Sequence, residues 1–194
     1  MEEDYYSINS IIADTHKLTC TFNLDVKGLG FLEGGSEPDI KQHAKAELPF
    51  WLAHTLSANE FTSFPIPPPY SHRVRSALNA SAHSVRLSSL VGTNGWWYAW
   101  GRRIAHILDD AQRKELLGTL LKAFSQRLPL LQDLAAHYGS SSASNINSGD
   151  MGSGGVTIAG EAFKEGMDAE ERELFALGQG AGRKLKTWYD TPRR

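Results

Sequence analysis

At 194 residues, with 20 basic against 22 acidic side chains and a net charge of -2, the chain can form one ordinary domain or two small ones, and it lacks the basic excess of a dedicated nucleic-acid binder. Apolar residues make up 41%, which excludes wholesale disorder and supports a packed core. Cys20 is the single cysteine, so an intramolecular disulfide and a Cys-based metal cage are both excluded and a reducing compartment is expected. Met1 to Tyr6 carries acids where a targeting peptide would carry basic or apolar residues, and no run approaches the roughly 20 apolar residues of a membrane span; the reading is a soluble intracellular protein.

Ile8, Ile11 and Ile12 have helical spacing and predict a short helix. From Thr19 to Val26 the side chains alternate, with Cys20, Phe22, Leu24 and Val26 on one face, which predicts a half-buried strand. Gly28 and Gly30 offer a turn, and Phe31-Leu32 reads as the start of a second strand, followed by a loop over Ser36 to Gln42. A helix is expected from Leu48-Pro49, with Pro49 at its first position and Leu48, Trp51, Leu52 and Leu56 on one face. Pro65 to Pro69 should be a stiff spacer.

Helices dominate afterwards. Val74 and Leu78 mark a modest one, and Trp97, Trp100, Gly101, Ile104 and Leu108 form the stripe of another over about Trp96 to Leu108. Asp109 with Gln112 resembles a capping box opening a long Leu-rich helix through Leu117, Leu121, Phe124, Leu128, Leu131 and Tyr138. Pro129 lies inside it, at a cost of about 3 kcal/mol unless the helix bends, so a kink is expected there. Gly139 to Gly155 is almost all Gly, Ser, Asn and Asp and reads as a mobile loop extending to about residue 166. A last helix follows Asp168, an N-cap with Glu171 at the capping-box position. Leu174, Leu177, Ala181, Leu185 and Trp188 make one apolar face of it, and Phe175, Gly182 and Tyr189 a second, so it should touch two neighbours.

No motif of catalysis emerges. The seven histidines lack metal-ligand spacing, and there is no Walker loop, no G-x-S-x-G elbow and no kinase signature. Gly178, Gly180 and Gly182 sit inside a capped helical pattern rather than after a strand, so they read as the close approach of another helix and not as a nucleotide loop. Trp96 to Trp100 with Arg102 and Arg103 admits a base-stacking platform, which makes a nucleic-acid-binding module the second reading of the chain. Trp97 and Trp100 share the stripe of Ile104 and read as core, whereas Trp96 and Tyr98 point elsewhere and would form a partner-facing patch.

Several segments, in order, are similar to one family. Tyr6 with Ile8, Ile11, Ile12 and His16-Lys17-Leu18 resembles the opening of the third Psf subunit of the eukaryotic GINS complex. Lys45 to Ala53, a charged strand end running into Leu48-Pro49-Phe50-Trp51-Leu52, resembles that family's most recognisable stretch. Trp100-Gly101, the Leu-rich helix through Phe124 and Arg127, and Glu171-Arg172, Leu174-Phe175, Gly178-Gln179 and Trp188 follow in the family's order. The resemblance implies a mainly α protein with a small β-rich domain over residues 1–47 and a helical domain over 48–194. It also implies a non-catalytic, cofactor-free nuclear subunit of a heterotetramer. Its partners would be the three sibling GINS subunits and, through the complex, the MCM hexamer and the Cdc-forty-five protein, with DNA touched at most indirectly and no membrane. Candidate contacts with siblings are Leu48, Pro49, Trp51, Leu52, Trp96, Tyr98, Arg102, Leu174, Phe175, Gly178, Trp188 and Tyr189.

Overall fold

The computed structural model describes residues 8–33, 38–92, 95–140 and 158–190. Tyr6, most of the Gly/Ser-rich stretch, Arg193 and Arg194 lie outside the described residues. The chain is mainly α-helical, with a small antiparallel sheet near its start. Its contacts group it into two compact units, Met1–Val74 with Ala99–Leu117, and Arg75–Tyr98 with Gly118–Arg194.

In the first unit, helix α1 (Ile8–Thr15) leads into β1 (Lys17–Phe22), the centre of a sheet ordered β2-β1-β3 with β2 (Lys45–Pro49) and β3 (Thr62–Ser63). Leu18 pairs with Leu48 and Cys20 with Ala46, and all four are buried, while Lys17, Thr19, Lys45 and Glu47 face out. One face of the pleat is therefore core. The strand predicted to reach Val26 stops at Phe22. Polar side chains take over the backbone there: Gln42 N–H donates to Asp25 Oδ1 at 2.7 Å, and the Asn23 amide donates to Glu60 O at 2.9 Å. Val26 keeps a single bridge to Ile40, and Phe31-Leu32 lies in a 3-10 turn, Gly30–Glu33, so the second strand comes from Lys45 onward instead.

Pro49 ends β2 in an extended conformation and stands just outside helix α2 (Phe50–Ala58), not at its first helical position as expected. That offset turns the helix. Phe50 and Ala53 face the core, and Trp51, grouped by spacing on one apolar face with Leu48, Leu52 and Leu56, is 57% exposed. Tyr70, in a 3-10 turn after the prolines, packs on Trp100 at 5.5 Å between centroids, and His16 meets Trp100 edge-on at 4.4 Å. The Arg113 guanidinium donates to the carbonyls of Ala105, the last residue of α4 (Trp97–Ala105), and of Leu108 just beyond it.

The second unit holds the end of α3 (His72–Ala80), most of α5 (Asp110–Ser140), α6 (Ile158–Glu165) and α7 (Ala169–Asp190). Its core includes Leu131, Leu134, Ala135, Phe163, Met167 and Phe175. Helix α5 stays continuous across Pro129. Residues 158–165, placed by sequence reasoning in the flexible loop, form α6 because Phe163 finds a buried place against α5 and α7. Gly95, at φ +66°, brings its backbone against Ser88; a Cβ there would lie 2.6 Å from Ser88 Cα, so only glycine fits.

Candidate interaction surfaces

Helix α7 is anchored by a buried polar cluster. The Asp168 carboxylate accepts the Glu170 N–H at 3.2 Å, and Glu171 reaches back to the Asp168 N–H at 3.1 Å, which completes the capping box read from the sequence. The structure adds what no spacing showed. Asp168 Oδ1 also accepts the Trp97 N–H at 2.6 Å, and Glu171 takes a two-pronged grip from Arg127, 2.7 Å from Nε and 2.9 Å from Nη2. Arg127 Nη1 donates to the carbonyls of Ala82 and Val85, its guanidinium lies 4.4 Å from the Phe163 ring centroid, and the Tyr98 hydroxyl donates to Glu171 at 3.0 Å. One arginine thus ties α5, the segment after α3, α6 and α7 together.

Burial pushes the Asp168 carboxyl up to about 7, against the two N–H groups that hold it down. Burial, and then the Glu171 carboxylate, push the Tyr98 phenol far above its ordinary value. A carboxylate gripped by arginine inside a core is a fastener. With its side chain about 1% exposed, Glu171 spends its carboxylate on the chain's own core.

Beyond Phe175, α7 has little cover. Phe175 is 7% exposed and Gly178 brings the helix against α5, where an added Cβ would meet the Ala135 Cβ at 3.1 Å. Leu177, Leu185, Trp188 and Tyr189 are 65%, 57%, 59% and 72% exposed, and Leu174 is at 37%. The close helix approach read from the glycines holds at Gly178, whereas a Cβ at Gly180 would meet nothing within 4 Å. The apolar face running from Leu174 to Trp188 is therefore largely outside the chain's own core.

The sequence-derived candidates separate into three groups. Leu48, Tyr98 and Phe175 are core residues of the free chain; Tyr98, expected on an outward patch, is turned inward by its bond to Glu171 and its edge contact with Phe124. Pro49, Leu52, Trp96 and Gly178 are partly buried, while Trp51, Arg102, Leu174, Trp188 and Tyr189 are exposed. With Trp97 and Trp100 at 0% and 2%, the Trp-rich helix presents no stacking face for bases from these two rings or from Tyr98.

Two concavities in the first unit were not anticipated. An apolar groove of about 550 Å³ is lined by Phe22, Leu24, Val26, Leu29, Phe31, Leu52, Leu56 and Phe61, with Asp25 and Lys27 at its polar edge. Phe61 is set there by a Schellman-type end to α2: Glu60 N–H donates to Ser57 O and Phe61 N–H to Leu56 O, both at 3.0 Å, with Glu60 at φ +60°. A smaller pocket of about 270 Å³ is lined by Asp14, Phe50, Trp51, His54, Arg103 and His106.

A family model described as the PSF3 N-terminal domain matches residues 6–58, the span of α1, β1, β2 and α2. The DNA replication complex GINS protein PSF3 of Phaeosphaeria nodorum is 33% identical over 98% of both chains. This chain belongs to the PSF3 family. The psf3 proteins of Aspergillus fumigatus, at 32% identity over 95% of each chain, and Schizosaccharomyces pombe, at 29% over 97% and 98%, also align along nearly the whole PSF3-family chain. The alignment therefore includes the helical second unit and the exposed half of α7 as well as the sheet.

Proposed function

We propose that this PSF3-family chain is a non-catalytic nuclear subunit of a GINS heterotetramer, and that the complex joins the MCM hexamer and the Cdc-forty-five protein in the replicative helicase. The observation that carries the assembly reading is the exposed apolar length of α7, from Leu174 through Leu177 and Leu185 to Trp188 and Tyr189, on a helix firmly anchored at its other end. A patch of this kind on a monomer is characteristic of a permanent interface. The full-length similarity to proteins named as GINS subunits supports the sibling GINS subunits as partners. Trp51 and Arg102 are further proposed contacts, and residues 1–47 and 48–194 are proposed as the small β-rich and helical functional divisions.

Size-exclusion chromatography with light scattering tests the proposal. The chain co-expressed with three GINS siblings of the same organism should elute as a 1:1:1:1 particle, and the chain alone should self-associate through α7. A monodisperse monomer that ignores the siblings would refute the assembly role.

A further inference from the structure

The pocket formed by Asp14, Phe50, Trp51, His54, Arg103 and His106 shares only Trp51 with the proposed assembly contacts, and its chemistry differs from that of the apolar faces. Phe50 is buried and forms a floor, and the Trp51 indole, 57% exposed, forms a wall. The His54 imidazole lies roughly parallel to the Phe50 ring, 6.1 Å between centroids, and His106 comes from the turn just after α4. Arg103 Nη1 is held by Asp14 Oδ1 at 3.1 Å, with only 23% of the arginine side chain exposed, so the guanidinium is fixed in place. Among the described residues no three His, Cys, Asp or Glu are disposed to hold one metal ion, so Asp14 and the two imidazoles do not make a metal site.

From this arrangement we propose that the pocket binds a phosphate monoester carried on an apolar or aromatic group, as on a phosphorylated side chain of a partner protein. Three basic side chains, from α2, α4 and the turn after it, line one space; Asp14 cancels the charge of Arg103, so the site offers an anion converging N–H donors rather than a net positive charge. The shape of the anion follows from Asp14. A planar carboxylate binds arginine best by the two-pronged grip, and Asp14 already engages that guanidinium, whereas a tetrahedral phosphate takes single bonds from donors that converge from different directions. About 270 Å³ exceeds what a phosphate alone fills, and the Trp51 indole in the lining gives an apolar or aromatic group a surface to pack on.

The test uses phenyl phosphate, benzoate and phenol as probes in ligand-observed saturation-transfer NMR. The full-length chain is used in whatever assembly it purifies, so the outcome does not depend on the GINS reading. Phenyl phosphate should bind saturably and about tenfold or more tighter than benzoate or phenol, the usual margin of one or two charge-assisted hydrogen bonds. The His54→Gln/His106→Gln variant, altered only at exposed side chains, should lose that margin, and Trp51→Ala should weaken phenyl phosphate and phenol alike. Equal binding of benzoate, absence of saturable phosphate binding, or an unchanged affinity in the double variant would each overturn the proposal.

Discussion

Arg127 and Glu171 have side chains about 1% exposed, and two charges buried so deeply are tolerated only together. Glu171→Gln leaves the guanidinium without its counter-charge and should destabilise the chain by about 3 to 5 kcal/mol in urea denaturation, while the double change Arg127→Met/Glu171→Leu should recover most of that loss. Asp168 makes a second prediction. Its folded carboxyl, raised to about 7 from an ordinary 3.8, holds its proton more tightly than the unfolded chain does, so stability should fall as pH rises from about 4 to about 7. Denaturation midpoints at pH 5 and pH 8 check the sign, and Asp168→Asn should flatten the dependence. The capping pair Asp168 and Glu171 was legible in the sequence because its spacing is local. Arg127 was not, since an arginine within a Leu-rich helix reads as surface and its partner lies 44 residues away.

At the scale of elements, sequence periodicity located most helices but not always which side of them is buried. Helix α2 shows why: the sheet register puts Leu48 inward, Pro49 stands between strand and helix, and Phe50 and Ala53 become the inner side instead of Trp51. Helix α6 was missed because its flanking Gly/Ser stretch dominates the composition and its one strong anchor, Phe163, acquires meaning only against α5 and α7. Two backbone positions give opposite predictions. Gly95→Ala places a Cβ 2.6 Å from Ser88 Cα at φ +66° and should cost about 2 kcal/mol or more, read as a lowered melting temperature. Glu60→Gly removes the penalty for an L residue at φ +60° in the turn that ends α2 and should raise stability by up to about 1 kcal/mol in the same assay.

On the scale of the whole molecule, α7 is a core helix for its first two turns and an uncovered one afterwards. Leu177→Glu with Leu185→Glu should leave the chain's own unfolding free energy within about 0.5 kcal/mol, because neither side chain is buried in it. The same pair should abolish co-elution with the sibling subunits, and Trp188→Ala should weaken association by about 2 to 4 kcal/mol, measured by surface binding of the purified partner. An assembly indifferent to all three changes would show that siblings dock elsewhere.

The family, the mainly helical class with a small sheet near the start, and the caps of the last helix follow from the sequence by itself, because each depends on local spacing or on residues in order. Tertiary structure decided the rest. Whether an apolar helix face is core or surface depends on what packs against it, so Tyr98 turned inward to Glu171, and the face from Leu177 to Trp188 stayed exposed.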